Sequence, residues 1–238
     1  KEAYLGLKKT YEFEVVFGVA TDTFDQLGIV ASGDSAGNDF LTWPTLSFDQ
    51  EIDGANGAIE ANGGDGDLIG KVRQTYPFYS SKPVDGVPLF QYVKDHGIAA
   101  TIPKLPTNEV EIYEIGILSD EHGERAKNVS RISDLVEETM TLRDSSVHHQ
   151  SIRPDELANE SIGFAQQIKG DFRQNEIIES WKKWQTEYEA SLKIMKFRMT
   201  VSSGFYIRSF ACWLGQKAGV GAIARNIVRT NVGDFSLK

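Results

Sequence analysis

Ser202-Ser203-Gly204-Phe205-Tyr206-Ile207-Arg208 marks a junction where a strand pattern hands over to a helix pattern. Before it, Met195, Phe197, Met199 and Val201 alternate with Lys196, Arg198 and Thr200, the period of two of a strand with one buried face. After it, Ile207, Phe210, Ala211, Leu214 and Ala218 follow the spacing of one helix face, and Gly219 supplies a stop. Arg208 therefore falls in a helix's first turn, where the positive end of the dipole disfavours a cation. An arginine placed there answers to a carboxylate from elsewhere.

Other segments carry the same two periods. Tyr11, Phe13, Val15 and Phe17 share one face of a predicted strand and Glu12 and Glu14 the other, with Gly18 closing it. Thr21-Asp22-Thr23-Phe24-Asp25 and Gly28 then form a loop whose hydroxyls and carboxylates are suited to bracing nearby backbone. A metal reading of Asp22 and Asp25 lacks a third ligand. Thr75-Tyr76-Pro77-Phe78-Tyr79-Ser80-Ser81-Lys82-Pro83 is turn-like and aromatic, and a helix is expected over Leu89 to Asp95. Glu109 to Leu118 reads as a strand whose apolar phase slips between Ile112 and Tyr113, the mark of a bulge or of burial on both faces.

Residues 119–192 have a different texture, polar, charged and helical. Pro154 opens a predicted helix containing Leu157, Ile162, Ala165 and Ile168. Asp171 and Gln174 resemble a capping box for the next, which carries the stripe Ile177, Trp181, Trp184, Tyr188 and Leu192, a packing face. The segment reads as a helical insertion between two strands of one sheet, leaving 1–118 and 193–238 as the core. His148-His149 lies in a polar linker without the companions a metal site needs.

Composition narrows the classes. Of 238 residues, 40% are hydrophobic and 25% charged, ordinary for a globular chain able to bury a large core. No apolar run approaches a membrane span. The single cysteine, Cys212, sits within an apolar helix as a small hydrophobe, and its solitude fits a reducing, cytoplasmic setting. The start, Lys1-Glu2-Ala3-Tyr4, lacks an initiator methionine and reads as a chain cut out of a longer one. Net charge is −9, yet Lys193 to Lys238 carries eight basic residues against Asp234, so the first 192 residues hold −16. Such a basic module can meet phosphate despite the total. The glycine- and acid-rich stretch Gly54 to Gly70 invites a calcium-loop reading but misses the EF-hand pattern and fits an exposed loop better.

Three pieces occur in order: Lys9-Thr10-Tyr11 with Gly18-Val19-Ala20-Thr21-Asp22-Thr23 and Asp25-x-x-Gly28; Tyr76-Pro77-Phe78-Tyr79-Ser80-Ser81-Lys82 with Gly86, Leu89 and Tyr92; and Ser203-Gly204-Phe205-Tyr206-Ile207-Arg208 with Leu214-Gly215, Gly219-Val220-Gly221-Ala222 and Val228-Arg229-Thr230. Together they resemble the catalytic domain of the bacterial tRNA pseudouridine synthase B (TruB) family, which isomerises the T-arm uridine of tRNA (position 55). The resemblance covers nearly all of the chain outside residues 119–192. Within them, Lys169-Gly170-Asp171-Phe172-Arg173-Gln174 is similar to the insert of divergent bacterial members.

The resemblance implies an α+β pseudouridine synthase fold, a mixed, largely antiparallel sheet flanked by helices, working as a monomer on tRNA without metal or cofactor. An aspartate attacks a flipped-out uridine, the glycosidic bond breaks, and the base rejoins through C5. By the same resemblance Tyr11 stacks on the extruded base and is a candidate for proton transfer at C5, as befits a base handled outside its stack. Arg208 pairs with the nucleophile, Ile227 packs beside the base, and Tyr206, Lys82 and Tyr79 line the cleft. Two departures matter. The family's nucleophile lies in a Gly-x-Leu-Asp-Pro run, which this chain lacks, and Asp22 and Asp25 belong to another loop. The sequence stops at Lys238, just past the catalytic segment, so the C-terminal RNA-binding PUA domain of many members is not expected within these residues. The expectation is an inactive, poorly stable polypeptide whose Arg208 has no carboxylate. A non-catalytic RNA-binding or RNA-chaperone module on the same fold is the alternative, and a calcium- or glycan-binding surface protein the third reading.

Overall fold

A computed structural model describes residues 6–31, 45–48, 67–118, 125–144, 150–170 and 172–236. Most of the acidic Gly54 to Gly70 stretch, His148-His149 and Asp171 lie outside them. In chain order the elements are β1 (Lys9–Phe17), β2 (Leu46–Phe48), β3 (Gly70–Thr75), β4 (Pro83–Val84), β5 (Val87–Pro88), α1 (Leu89–His96), α2 (Ile98–Thr101), β6 (Thr107–Leu118), β7 (Arg125–Asn128), α3 (Ile132–Asp144), β8 (Ser151–Ile152), α4 (Pro154–Gln167), α5 (Gln174–Glu187), β9 (Leu192–Val201), α6 (Ile207–Lys217), β10 (Ala222–Val232) and β11 (Phe235–Ser236).

The two clearest alternating stretches pair with each other. β1 lies antiparallel to β9, with Tyr11 opposite Met199 and Phe13 opposite Phe197. The main sheet runs β11-β10-β1-β9-β6-β3-β2, with β7 beside β6 and β8 beside β9. Among the described residues all of its strand pairs are antiparallel, and the parallel component is a single bridge from Asp25 to Ala224. The phase slip expected in β6 is a register shift between Ile112 and Glu114 against β9. The chain is thus a mixture of α and β built on one large antiparallel sheet, compatible with the fold the resemblance implies.

Each period buries its own face. Phe13 stacks on Phe197 at 5.5 Å, and Phe210 of α6 meets Phe13 edge-on at 6.0 Å. These rings join Met199, Trp213, Leu214 and, from α3, Leu135 in one core. Val16, Ile194 and Ile223 face the other way, against Leu157 of α4 and Ile177, Trp181 and Trp184 of α5. The sheet is therefore covered on both faces. Each fully buried large apolar side chain contributes roughly 1.5–3 kcal/mol, so this sandwich dominates stability.

Residues 119–192 are not helices alone. The segment between β6 and β9 contributes β7 and β8 to the sheet as well as α3, α4 and α5. Among the described residues, no helix is long and apolar enough to cross a membrane.

Candidate active site

The site is assembled where β9 hands over to α6. Ser202 donates its amide to the Glu111 carbonyl and accepts the Glu111 amide on its hydroxyl, both at 2.9 Å, which ends the strand against β6. Gly204 turns the chain at φ 91°, a conformation in which a side chain would be strained. Tyr206 then caps α6 without using its own side chain. Gln74, on β3 and 1% exposed, fixes the backbone of that residue: its amide oxygen accepts the Tyr206 N–H at 2.8 Å and its amide nitrogen donates to the Tyr206 carbonyl at 3.0 Å. Gln74 was not singled out from the sequence; the regular spacing of Val72 and Gln74 in β3 was the signal available.

This start places Arg208 in the first turn of α6, as the helix pattern predicts. Its guanidinium donates to the Thr23 carbonyl at 2.9 Å and to the Tyr79 carbonyl at 3.3 Å, and pairs with the Asp25 carboxylate at 3.4 Å. The expectation of an arginine without a carboxylate is therefore corrected. Asp25, assigned to a separate loop, is carried up to Arg208 by tertiary folding. The instability expected from an unpaired charge falls with it.

The loop that supplies Asp25 is braced by its own polar side chains. The other carboxylate oxygen of Asp25 accepts the Thr23 hydroxyl at 2.7 Å and the Leu27 amide at 2.9 Å. The Thr21 hydroxyl donates to the Asp25 carbonyl at 2.7 Å, and Asp22 accepts the Ile29 amide at 2.9 Å. Phe24 adopts φ 64°, and its carbonyl accepts the Ala224 amide of β10 at 2.9 Å. At Gly28 a β-carbon would lie 2.5 Å from the Thr23 hydroxyl oxygen, so the loop closes only around a glycine.

Tyr206, Tyr76 and Lys82 form a second group. The two rings meet edge-on at 5.5 Å, and the Lys82 ammonium lies 5.1 Å from the Tyr76 centroid. Burial first, and neighbouring Tyr76 next, push the Tyr206 phenol above its ordinary pKa against the pull of Arg208. Tyr79 is committed to the framework. Its carbonyl holds Arg208, and its ring faces the Arg173 guanidinium at 4.1 Å. Burial and the Asp22 carboxylate raise its pKa, with Arg173 opposing.

Tyr11 lies on the sheet face that carries α6 and packs against that core. Its hydroxyl accepts from Arg229 Nε at 3.2 Å, and the Arg229 guanidinium sits 5.5 Å from its ring centroid. Ile227 is 40% exposed on β10, one alternation step from Arg229, next to a register shift where Asn226 adopts φ 50°. Arg208, Tyr79, Tyr206 and Lys82 are linked through contacts around the start of α6, while Tyr11 and Ile227 lie on the neighbouring strands. On the opposite face, Arg225 binds Glu14 at 2.6 Å and Glu160 at 2.8 Å, with Lys196 3.7 Å from Glu14.

No protein-family model matches the chain. It is similar to a tRNA pseudouridine synthase B of Geobacillus thermodenitrificans, 23% identical over 99% of this chain and 50% of the relative. A tRNA pseudouridine synthase 4 of Saccharomyces cerevisiae is 23% identical over 98% of this chain and 54% of the relative. A tRNA pseudouridine synthase B of Chloroherpeton thalassium is 44% identical over 46 residues, 19% of each chain. These similarities support the pseudouridine synthase family. The chain spans about half the length of the first two relatives.

Proposed function

We infer that the chain forms most of the catalytic core of a tRNA pseudouridine synthase that isomerises the T-arm uridine of tRNA. The observation that carries this reading is the Arg208 fork: a cation fixed at a helix start by two carbonyls and one carboxylate, inside a stretch that resembles the family's motif. In that role Arg208 orients the attacking carboxylate and stabilises its charged form. Tyr11 offers a flat ring for the extruded base, Ile227 an apolar wall beside it, and Tyr206, Tyr79 and Lys82 the surrounding surface. A neutral pyrimidine needs a flat partner and a dry wall more than it needs charge.

The nucleophile in this reading is an aspartate outside these 238 residues. Asp25 accepts from Thr23 and Leu27 while pairing Arg208, and Asp22 accepts from Ile29 and Arg173, so both are already engaged. Residues 119–192 are, on this reading, an insertion into the core.

The test uses the full-length protein and unmodified tRNA transcripts labelled with tritium at uridine C5, since isomerisation releases that label. Release from the T-arm uridine is expected, with loss of at least about 100-fold in Arg208→Lys, which keeps charge but loses the fork. The 238-residue chain alone is expected to release none. A full-length protein that binds tRNA but forms no pseudouridine would sink the isomerase assignment and favour a non-catalytic RNA-binding module.

A further inference from the structure

We propose that Arg173 is a positioning residue, by which the α4–α5 segment clamps the loop and the tyrosine that hold Arg208. The proposal rests on the isomerase reading for its kinetic consequence but not for its geometry.

The geometry begins with the loop at 20–31, which leaves β1 and returns on itself through the Thr21–Val30 bridge and the Ala31 amide bonded to the Ala20 carbonyl. One side of this loop serves Arg208, through the Thr23 carbonyl and Asp25. Its other side is held from the helices that cover the opposite face of the sheet. Arg173 donates to Asp22 at 2.6 Å, Ser180 of α5 accepts the Val30 amide at 3.1 Å, and Gln26 reaches Ser161 of α4 at 3.5 Å.

Arg173 has the reach to act on both supports of Arg208. Asp22 immediately precedes Thr23, whose carbonyl takes one Arg208 nitrogen. The same guanidinium lies against Tyr79, whose carbonyl takes the other. The Arg173 and Asp22 side chains are 19% and 11% exposed, so the pair is shielded from the screening that weakens surface ion pairs. Arg173 also sits at φ 62°, an unfavourable backbone state for a residue with a β-carbon, and from there it caps α5. A residue held so, with its charge turned towards another element's loop, links the two faces of the sheet beyond the end of β1.

Small displacements at a reacting centre carry large kinetic consequences, so loosening this clamp acts on turnover more than on binding. The full-length protein is compared with Arg173→Met, Arg173→Lys, Asp22→Asn and the Arg173→Met/Asp22→Asn double variant. One readout is the exchange with water of the Arg208 guanidinium protons by NMR, assigned through their loss in Arg208→Lys. The other is kcat and KM for T-arm isomerisation. In Arg173→Met the Arg208 protons exchange at least about tenfold faster, kcat falls about 10- to 100-fold and KM stays within about twofold. Arg173→Lys recovers part of both losses, and the double variant is no worse than the poorer single one, as expected of two groups acting as a unit.

Unchanged Arg208 exchange in a folded Arg173→Met overturns the proposal, as does a melting loss with kcat untouched. If Arg173→Met does not fold, Asp22→Asn decides the matter by the same exchange rate. A parent protein inactive on tRNA defeats the isomerase reading, and the exchange measurement still tells whether the clamp holds.

Discussion

Replacing Gln74 by Met separates the hydrogen-bonding role of this side chain from its volume, because the two residues are nearly isosteric. Gln74 is 1% exposed and spends both ends of its amide on the backbone of Tyr206. The Tyr206 carbonyl keeps a partner, the Phe210 amide at 3.4 Å. The Tyr206 N–H loses its acceptor at a helix start where no side chain caps. Two neutral hydrogen bonds are worth about 1 kcal/mol each, and an orphaned buried donor adds a further 1–3 kcal/mol. The apolar thioether offsets part of this, about 1 kcal/mol. The net expectation is a loss of roughly 2–4 kcal/mol, a fall of about 4–16 °C in melting midpoint for a chain of this size. Urea unfolding followed by tryptophan fluorescence measures it. Gln74→Glu adds a pH signature: its carboxylate keeps the acceptor but opposes the Tyr206 carbonyl, so its folded pKa is raised. A raised carboxyl pKa means stability close to the parent below about pH 4.3, lost as pH rises through the folded value. A change under about 0.5 kcal/mol in Gln74→Met would refute the reasoning, since that is the range of surface substitutions.

Other sites give independent checks. Trp181 of α5 is fully buried, so Trp181→Ala is expected to cost about 3–5 kcal/mol in the same titration. Its indole N–H lacks a hydrogen-bond partner among the described residues, so Trp181→Phe is expected to lose less than about 1.5 kcal/mol. Gly28→Ala drives a β-carbon into Thr21 and Thr23 and is expected to cost about 1–3 kcal/mol, read as a lower melting midpoint. Burial pushes the Cys212 thiol well above its ordinary pKa, so a thiol reagent at pH 8 is expected to label the chain only on unfolding. The same shift gives a sign. The stability tied to the neutral thiol is complete below the unfolded pKa of about 8.5 and is lost at up to about 1.4 kcal/mol per pH unit above it, a slope that Cys212→Ala should reduce.

Much of the fold was legible because its periods are local. β1, β9, α1, α4, α5 and α6 each repeat at two or near 3.6 residues, and the burial that follows is a property of the element alone. The slip in β6 was visible for the same reason. β3 and β10 escaped. β3 turns Gln74 inward, and a buried glutamine reads in sequence as a surface residue. From Asn226 to Val232, β10 buries no side chain, and its register shift beside Asn226 breaks the alternation that a strand reading depends on.

The sequence by itself determined that Arg208 stands at a helix start and wants an anionic partner, since helix phase and dipole follow from residue order. It also carried, in order, the three motifs on which the resemblance to tRNA pseudouridine synthases rests. Only the tertiary structure decided what meets that arginine: Asp25 and Thr23 from a loop about 185 residues earlier, and Tyr79 from another. It alone brought Arg173 against Asp22 and Tyr79, and Gln74 against Tyr206. The reason is physical. Periodicity arises from neighbours along the chain, whereas ion pairs and amide clamps depend on which segments the packed sheet delivers to within 3 or 4 Å, a distance no local pattern encodes.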